Sequence, residues 1–451
     1  MGTDLAYPPR LADGVELLGE MQDSGFANPP ALIRRADGQM LQMPRLLYLI
    51  ACRIDGTRAP EAIADLVSDD LGRSLSASQV SYVITDKLAP LGVLAGQAAT
   101  TTLPTASPLL ALRARGTLLP AAAANVAGAL FRPLFRWPVI AAVLAAGGAM
   151  DYWLFVLHGL SGAYQEVLAD PVDLLLVVGL FIVSAMFHEC GHAAGCRYGG
   201  ARPGRIGVGI YLIWPSFFTD VTDSYRLNRA GRLRTDLGGV YFNLIFMLVL
   251  AGCYAATANQ VLLLTIALTH LEMLEQLLPF VRFDGYFILS DLVGVPDLFA
   301  RIGPVLATSF ARGRHTRGEA LRRPARRIIT AWVLCVIPLL GFTLGSMLLY
   351  LPAFNRSLWH SVSNAAHLVA GDFAGRHYAA AGPAVIGGAL AALSGIGTVY
   401  VMIRLTRRAA RVVSRRTAGH PWRRLIAVVA AFAIAGSLVL FWASQGQFRG
   451  W

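Results

Sequence analysis

The sequence predicts a mainly α, polytopic helical membrane protein of about seven transmembrane helices, preceded by a small N-terminal α+β domain. Three observations lead there. The 451 residues are 55% hydrophobic and only 15% charged, with a mean hydropathy of +0.54. Seven apolar runs are long enough to cross a hydrocarbon core of about 30 Å at about 1.5 Å per helical residue. The arginines gather between those runs rather than within them.

The N-terminal residues Met1 to Arg10 lack the apolar core of a signal peptide, so the first domain is expected to stay in the cytoplasm. That domain covers residues 30–95. Leu32 to Met43 alternates around Asp37-Gly38, a hairpin turn signal. A helix can begin at Pro44 and carry Leu46, Leu47, Leu49 and Ile50 before Asp55-Gly56 stops it. Ile63, Leu66, Val67 and Leu71 then share one helical face, and Val80, Val83, Ile84 and Leu88 share another after the candidate cap Ser78. Gly92-Val93-Leu94 closes the unit as an extended wing.

Residues 96–134 form a linker whose Ala-rich part, 118–130, is too short to span and reads as an interfacial or buried helix. The seven spans are 138–157, 172–194, 237–256, 261–280, 328–351, 379–403 and 425–443. They fall into a core of residues 135–300 and C-terminal transmembrane helices over 301–451. The net charge is +12, but its placement argues against nucleic acid. Arg132 and Arg136 precede the first span, whereas the next loop, with Glu166, Asp170 and Asp173, has no Lys or Arg. Arg197 to Arg234 follow the second span, Arg312 to Arg327 precede the fifth, and Arg404 to Arg424 separate the last two. Positive residues mark the cytoplasmic side. The pattern predicts a multi-pass cell-membrane protein with its N-terminus cytoplasmic and its C-terminus outside, the basic runs touching anionic lipid headgroups of the bilayer.

Inside the second span stands His188-Glu189-Cys190-Gly191-His192. On a helix the two histidines lie one turn apart on one face and can share a metal, with Glu189 beside them as a base. Ionisable groups inside a membrane are expensive and mark functional sites. The five cysteines are odd in number and lie mostly in or beside spans, so no disulfide framework is implied; Cys190 is read as a small apolar residue. A catalytic zinc needs a third protein ligand and an open fourth position. His270, Glu272, Glu275 and Asp284 are the candidates. His188 lies about 24 Å along a helix begun at Val172, near the cytoplasmic end, and Asp284 follows the fourth span at that same end. Pro279 breaks that helix just before Asp284-Gly285, as a ligand-presenting turn would require. Glu272 and Glu275 are read as helix-pairing or cavity-lining groups, and His270 as a polar contact within the bundle.

His188-Glu-x-x-His192 together with the run from Gln276 through Pro279 to Asp284-Gly285 resembles the site-2 protease family of intramembrane zinc metallopeptidases. The family's second motif is an Asn-x-x-Pro run ending in Asp-Gly, and its Asp is the third ligand. The resemblance thus implies Zn2+ held by His188, His192 and Asp284, with Glu189 catalytic. Gln276 stands where the family has Asn, which weakens a substrate-clamping role for that side chain. Gly239-Val-Tyr-Phe-Asn243 fits the family's Gly-x-x-x-Asn pattern, with Asn243 expected to bond across a helix interface and counted, with Gln276 and Gly209, among the candidate substrate-binding residues. The runs 218–226 and 284–297 resemble the peptide zinc metalloprotease branch. Asp220, Asp223 and Arg226 are read as shaping the active-site mouth or as a solvated loop. In the first domain, Pro44-Arg-Leu-Leu, Ile54-Asp-Gly-Thr-Arg and Leu88-Ala-Pro-Leu-Gly-Val-Leu94 resemble the small winged-helix domain of pyrroloquinoline quinone biosynthesis, which binds leader peptides, often by adding a strand to its sheet.

These resemblances imply an enzyme, a zinc-dependent endopeptidase that cuts a membrane-associated peptide or single-span protein near the cytoplasmic face. A leader peptide held by the first domain and removed from a modified, ribosomally made peptide is the sharper expectation. The metal would polarise the scissile carbonyl and lower the pKa of water, and Glu189 would carry the proton to the leaving amine. The run 206–213 is expected to offer an extended edge to the substrate, with Gly209 at its centre. The competing reading is a non-catalytic peptide exporter or immunity-type membrane protein retaining a metal site; the intact base Glu189 argues for catalysis.

Overall fold

A computed structural model describes residues 8–35, 39–96, 113–160, 163–211, 214–310, 321–376 and 378–445. The chain begins with a three-stranded antiparallel sheet in the order β1 (Glu16–Glu20), β2 (Ala31–Arg34), β3 (Met40–Met43). The expected hairpin is β2–β3; its turn at Asp37-Gly38 lies outside the described residues. β1 falls before residue 30, where Glu16-Leu-Leu-Gly-Glu20 offers little alternation and the strand is bulged between Leu17 and Gly19. Helices α1 (Arg45–Arg53), α2 (Pro60–Leu71) and α3 (Ala77–Tyr82) follow, and α3 runs on in a wider turn to Leu88. Ser76 rather than Ser78 caps α3. Its hydroxyl accepts from Gln79 N while the Gln79 side chain accepts from Ser76 N, a reciprocal box that the Ser-x-x-Gln spacing allows. Ile63, Val67, Val80, Ile84 and Leu88 are buried against Ile33 and Leu41 as their spacing predicted. Val93 and Leu94 pair with Leu11 and Ala12, so the unit takes in residues well before 30.

Beyond this unit come β4 (Arg113–Leu119), α4 (Ala121–Phe131), α5 (Trp137–Tyr152, continued to His158), α6 (Ala163–Ala169) and α7 (Pro171–Tyr198). Next are β5 (Ile206–Tyr211), β6 (Trp214–Thr219), α8 (Arg229–Asp236), α9 (Gly238–Thr257), α10 (Gln260–Gln276) and α11 (Asp284–Val293). The chain continues with α12 (Leu298–Phe310), α13 (Arg323–Leu349), α14 (Leu351–Ala374), α15 (Tyr378–Arg416) and α16 (Pro421–Ser444). Six helices among the described residues are long and apolar enough to cross a membrane, the mark of a multi-pass membrane protein. The expected span 261–280 is cut short. α10 has 17 residues, about 26 Å of helix, because Pro279 cannot continue the hydrogen-bond ladder. α14 was not foreseen. Asn355, Arg356, Asn364 and Asp372 break its hydropathy, and it packs along α15.

The segment read as one interfacial helix divides at Pro120: Leu118 and Leu119 end β4, and α4 starts at Ala121. α4 then lies against α7, where a side chain at Gly128 would strike the Ala193 backbone. Phe131 meets the rings of Phe187 and Phe242 edge-on at 5.5 and 5.6 Å, which joins α4, α7 and α9. The second sheet has the order β4-β5-β6. This corrects the expectation for 206–213: Gly209 is in a strand, but a central one, paired to β4 on one side and to β6 on the other. The free edge beside α7 belongs to β6. A central position suits Ile206 and Gly207, the latter pressed between Gly116 and Phe218. The N-terminal unit docks on the core through Asp23 with Arg229, Gly25 with Gly294 and Arg34 with Asp223.

Candidate metal centre

α7 supplies His188 and His192 from one face, as the four-residue spacing requires. Their Nε2 atoms lie 3.0 Å apart. Asp284, first residue of α11, brings Oδ2 to 3.1 Å from His188 Nε2 and 3.5 Å from His192 Nε2. The three donor atoms all lie within 4.8 Å of one another, and both histidines are buried. Ligands held at about 2.0–2.1 Å in tetrahedral array stand about 3.3 Å apart, so this group fits a zinc ion. Burial alone would raise the Asp284 carboxyl, but the adjoining imidazoles outweigh it and hold it below the usual carboxylate range.

Close backbone contact builds the cradle. Gly285 follows Asp284, and any side chain there would run into Leu277 at the end of α10; the Pro279 turn therefore folds back tightly enough to aim Asp284 at α7. Gly239 on α9 faces the His188 ring, whose atoms would overlap a Cβ at that position. His192 Nδ1 lies 2.8 Å from the Thr235 carbonyl. With the proton on Nδ1, this bond leaves Nε2 free to ligate. Glu189, also buried, accepts from the Thr219 hydroxyl at 2.7 Å through Oε2, and that hydroxyl sits 3.0 Å from the Glu189 carbonyl. Thr219 ends β6.

The other singled-out residues divide. Asn243 is buried one turn beyond Gly239, its Oδ1 3.5 Å from Ser184 Oγ on α7 and its amide nitrogen without a hydrogen-bond partner. Gln276 donates to Glu272 Oε1 at 3.1 Å, at the α10 end nearest Asp284. Glu272 and Glu275 are not among the converging donors. His270 turns away, bonded to Asp151 at 2.9 Å and to the Ile266 carbonyl. Gly209 lies in mid-sheet. Asp223 is buried and takes the Arg202 amide at 2.8 Å, with Arg34 and Arg226 close by, so it ties the loop to the N-terminal unit. Arg232 departs most from expectation. Counted among the headgroup-facing cations, it is fully buried and pairs with Asp291 at 2.9 Å. Burial and the Asp291 carboxylate facing it raise Asp236 well above the ordinary carboxylate range. No spacing in the sequence signals either Thr219 or Arg232.

Comparison with known proteins gives one partial similarity. Over 125 residues, 27% of this chain, the sequence is 25% identical to the protein named "Putative peptide zinc metalloprotease protein YydH" from Bacillus subtilis (strain 168). The matched region spans about half the length of that relative. No family model and no solved structure matches the chain.

Proposed function

We infer that this protein is a zinc-dependent membrane endopeptidase that hydrolyses a peptide bond of a membrane-associated peptide or single-span protein. The convergence of His188, His192 and Asp284, with Glu189 held by Thr219 beside them, carries this reading; the partial similarity to a protein named as a peptide zinc metalloprotease supports it. A zinc ion bound by the three residues would supply Lewis-acid polarisation of the scissile carbonyl and acidify the attacking water. Glu189 accepts that water's proton and delivers it to the departing amide nitrogen, which needs no covalent intermediate. Thr219 keeps the carboxylate from rotating away.

Substrate reaches the site as an extended strand, because a helix keeps its amides bonded to itself. β4 and β6 are the two edge strands of this sheet; β6 is the one packed against α7, and it ends at the Thr219 that holds Glu189. The N-terminal unit is the binder of a leader peptide in this reading. β3 ends its sheet, and a groove of about 350 Å³ between α1 and α3 is lined by Leu46, Ile50, Leu75, Val80 and Val83. Purified protein should bind about one zinc per chain, the number one three-ligand site holds. Co-expression with peptides encoded beside the gene, followed by mass measurement, should yield a truncated product with wild type and none with Glu189→Gln, which keeps the metal. Equal product from both would refute the enzyme reading.

A further inference from the structure

We propose that Arg232 is a positioning residue of the metal centre: its ion pair with Asp291 locks the helix that carries Asp284 to the helix whose Thr235 carbonyl orients His192. The proposal rests on the zinc-site reading. Arg232 has no exposed surface, and its guanidinium is shared among three elements: Nε lies 2.9 Å from Asp291 Oδ1, and Nη1 lies 2.7 Å from the Leu227 carbonyl and 3.2 Å from the Gln22 carbonyl. Asp291 follows Asp284 by seven residues, two turns along the same face of α11. Thr235 follows Arg232 by three residues on α8, and its carbonyl receives His192 Nδ1. A bonded route therefore runs from one ligand through α8, across the Arg232–Asp291 pair, and along α11 to another ligand. α7 needs no such device for His188 and His192, which share a helix. Asp284 comes from a separate helix after a broken turn, and among the described residues the Arg232–Asp291 pair ties α11 to α8, beside the apolar packing of Tyr286 and Val293.

The choice of an ion pair is informative. Apolar residues of similar volume would often stabilise a core as well or better, since two buried charges lose their hydration. A forked guanidinium instead fixes distance and orientation at several acceptors at once.

Zinc affinity of the full-length protein in detergent, read by competition with a chromophoric chelator, tests this. Arg232→Met should weaken zinc about 10- to 100-fold, the range usual for outer-shell partners of metal ligands. The visible spectrum of the Co2+-loaded Arg232→Met protein should move toward that of Asp284→Ala, because a loosened third ligand changes the coordination geometry. Arg232→Lys, which keeps the charge but not the fork, should recover part of the affinity. Arg229→Met removes a contact from α8 to Asp23 without touching α11 and should leave zinc binding unchanged. Should Arg232→Met fail to fold, Asp291→Asn gives the same readout. Wild-type zinc affinity and Co2+ spectrum in the folded Arg232 or Asp291 variant would overturn the proposal, as would an Arg229→Met loss equal to that of Arg232→Met. Wild type that takes up no zinc would remove the zinc-site reading as well.

Discussion

Replacing Gly239 by alanine tests whether the cradle is built by backbone approach. The added Cβ would stand 2.6 Å from His188 Cδ2 and closer still to Nε2 and Cε1. Carbon atoms settle at about 3.5–4.0 Å, so the imidazole must retreat by about 1 Å. The Gly191 and Gly238 backbones pack closely where α7 and α9 cross, so carrying α7 away with the ring would open that close-packed crossing. Ligand distances in a working zinc site hold to about ±0.2 Å, so the displacement takes His188 out of bonding range. The expected loss is about 100-fold in zinc affinity, at or beyond the upper end for changes that only touch a ligand's neighbour. Overpacking should cost about 1–3 kcal/mol of stability in addition. Chelator competition measures the first and thermal unfolding the second. Gly252→Ala on the same helix is the control, since a Cβ there meets nothing. Wild-type zinc affinity in Gly239→Ala would refute the reasoning.

Other outcomes follow from the same geometry. Thr219→Val should keep zinc and lower kcat about 10- to 100-fold, the worth of about 1.5–3 kcal/mol for a hydrogen bond to a charged group, while Thr219→Ser restores most of it; an unchanged kcat would discard the Thr219 role. Asp236 has a raised folded pKa from burial and the neighbouring Asp291 carboxylate, so its contribution is full below the unfolded carboxylate value and is lost as pH rises through the folded one. Asp236→Asn should therefore raise Tm at pH about 7.5 with the gain fading toward pH about 4, and a constant offset at all pH values would count against it. For topology, cysteines placed at Glu166 and Arg408 in a cysteine-free background should label from opposite sides of the membrane with an impermeant thiol reagent. Labelling of both from one side would overturn the predicted orientation.

Much of the architecture was legible because its signals are local. Apolar runs long enough to span, the two histidines one turn apart and the Pro279 break each lie within one continuous stretch, where spacing alone fixes the face or the end of a helix. The N-terminal helices were read from the same periodicity. The failures share a cause too. β1 carries too little alternation to announce itself. α14 hides its helix behind polar residues that a hydropathy window penalises, and the apolar run that set the span 261–280 reaches past Gln276, where α10 ends ahead of the Pro279 break.

Composition, apolar run length and the four-residue histidine spacing were enough to establish the solvent, the helices and the presence of donor atoms suited to a metal. The tertiary structure decided which donors meet. It brought Asp284, which the motif resemblance had named, and not Glu272, Glu275 or His270, to the two histidines, made β5 the central strand between β4 and β6, buried Arg232 against Asp291 and set Thr219 on Glu189. Each of these depends on residues far apart in the chain, and their separation is set by packing between helices, which no single-segment pattern encodes.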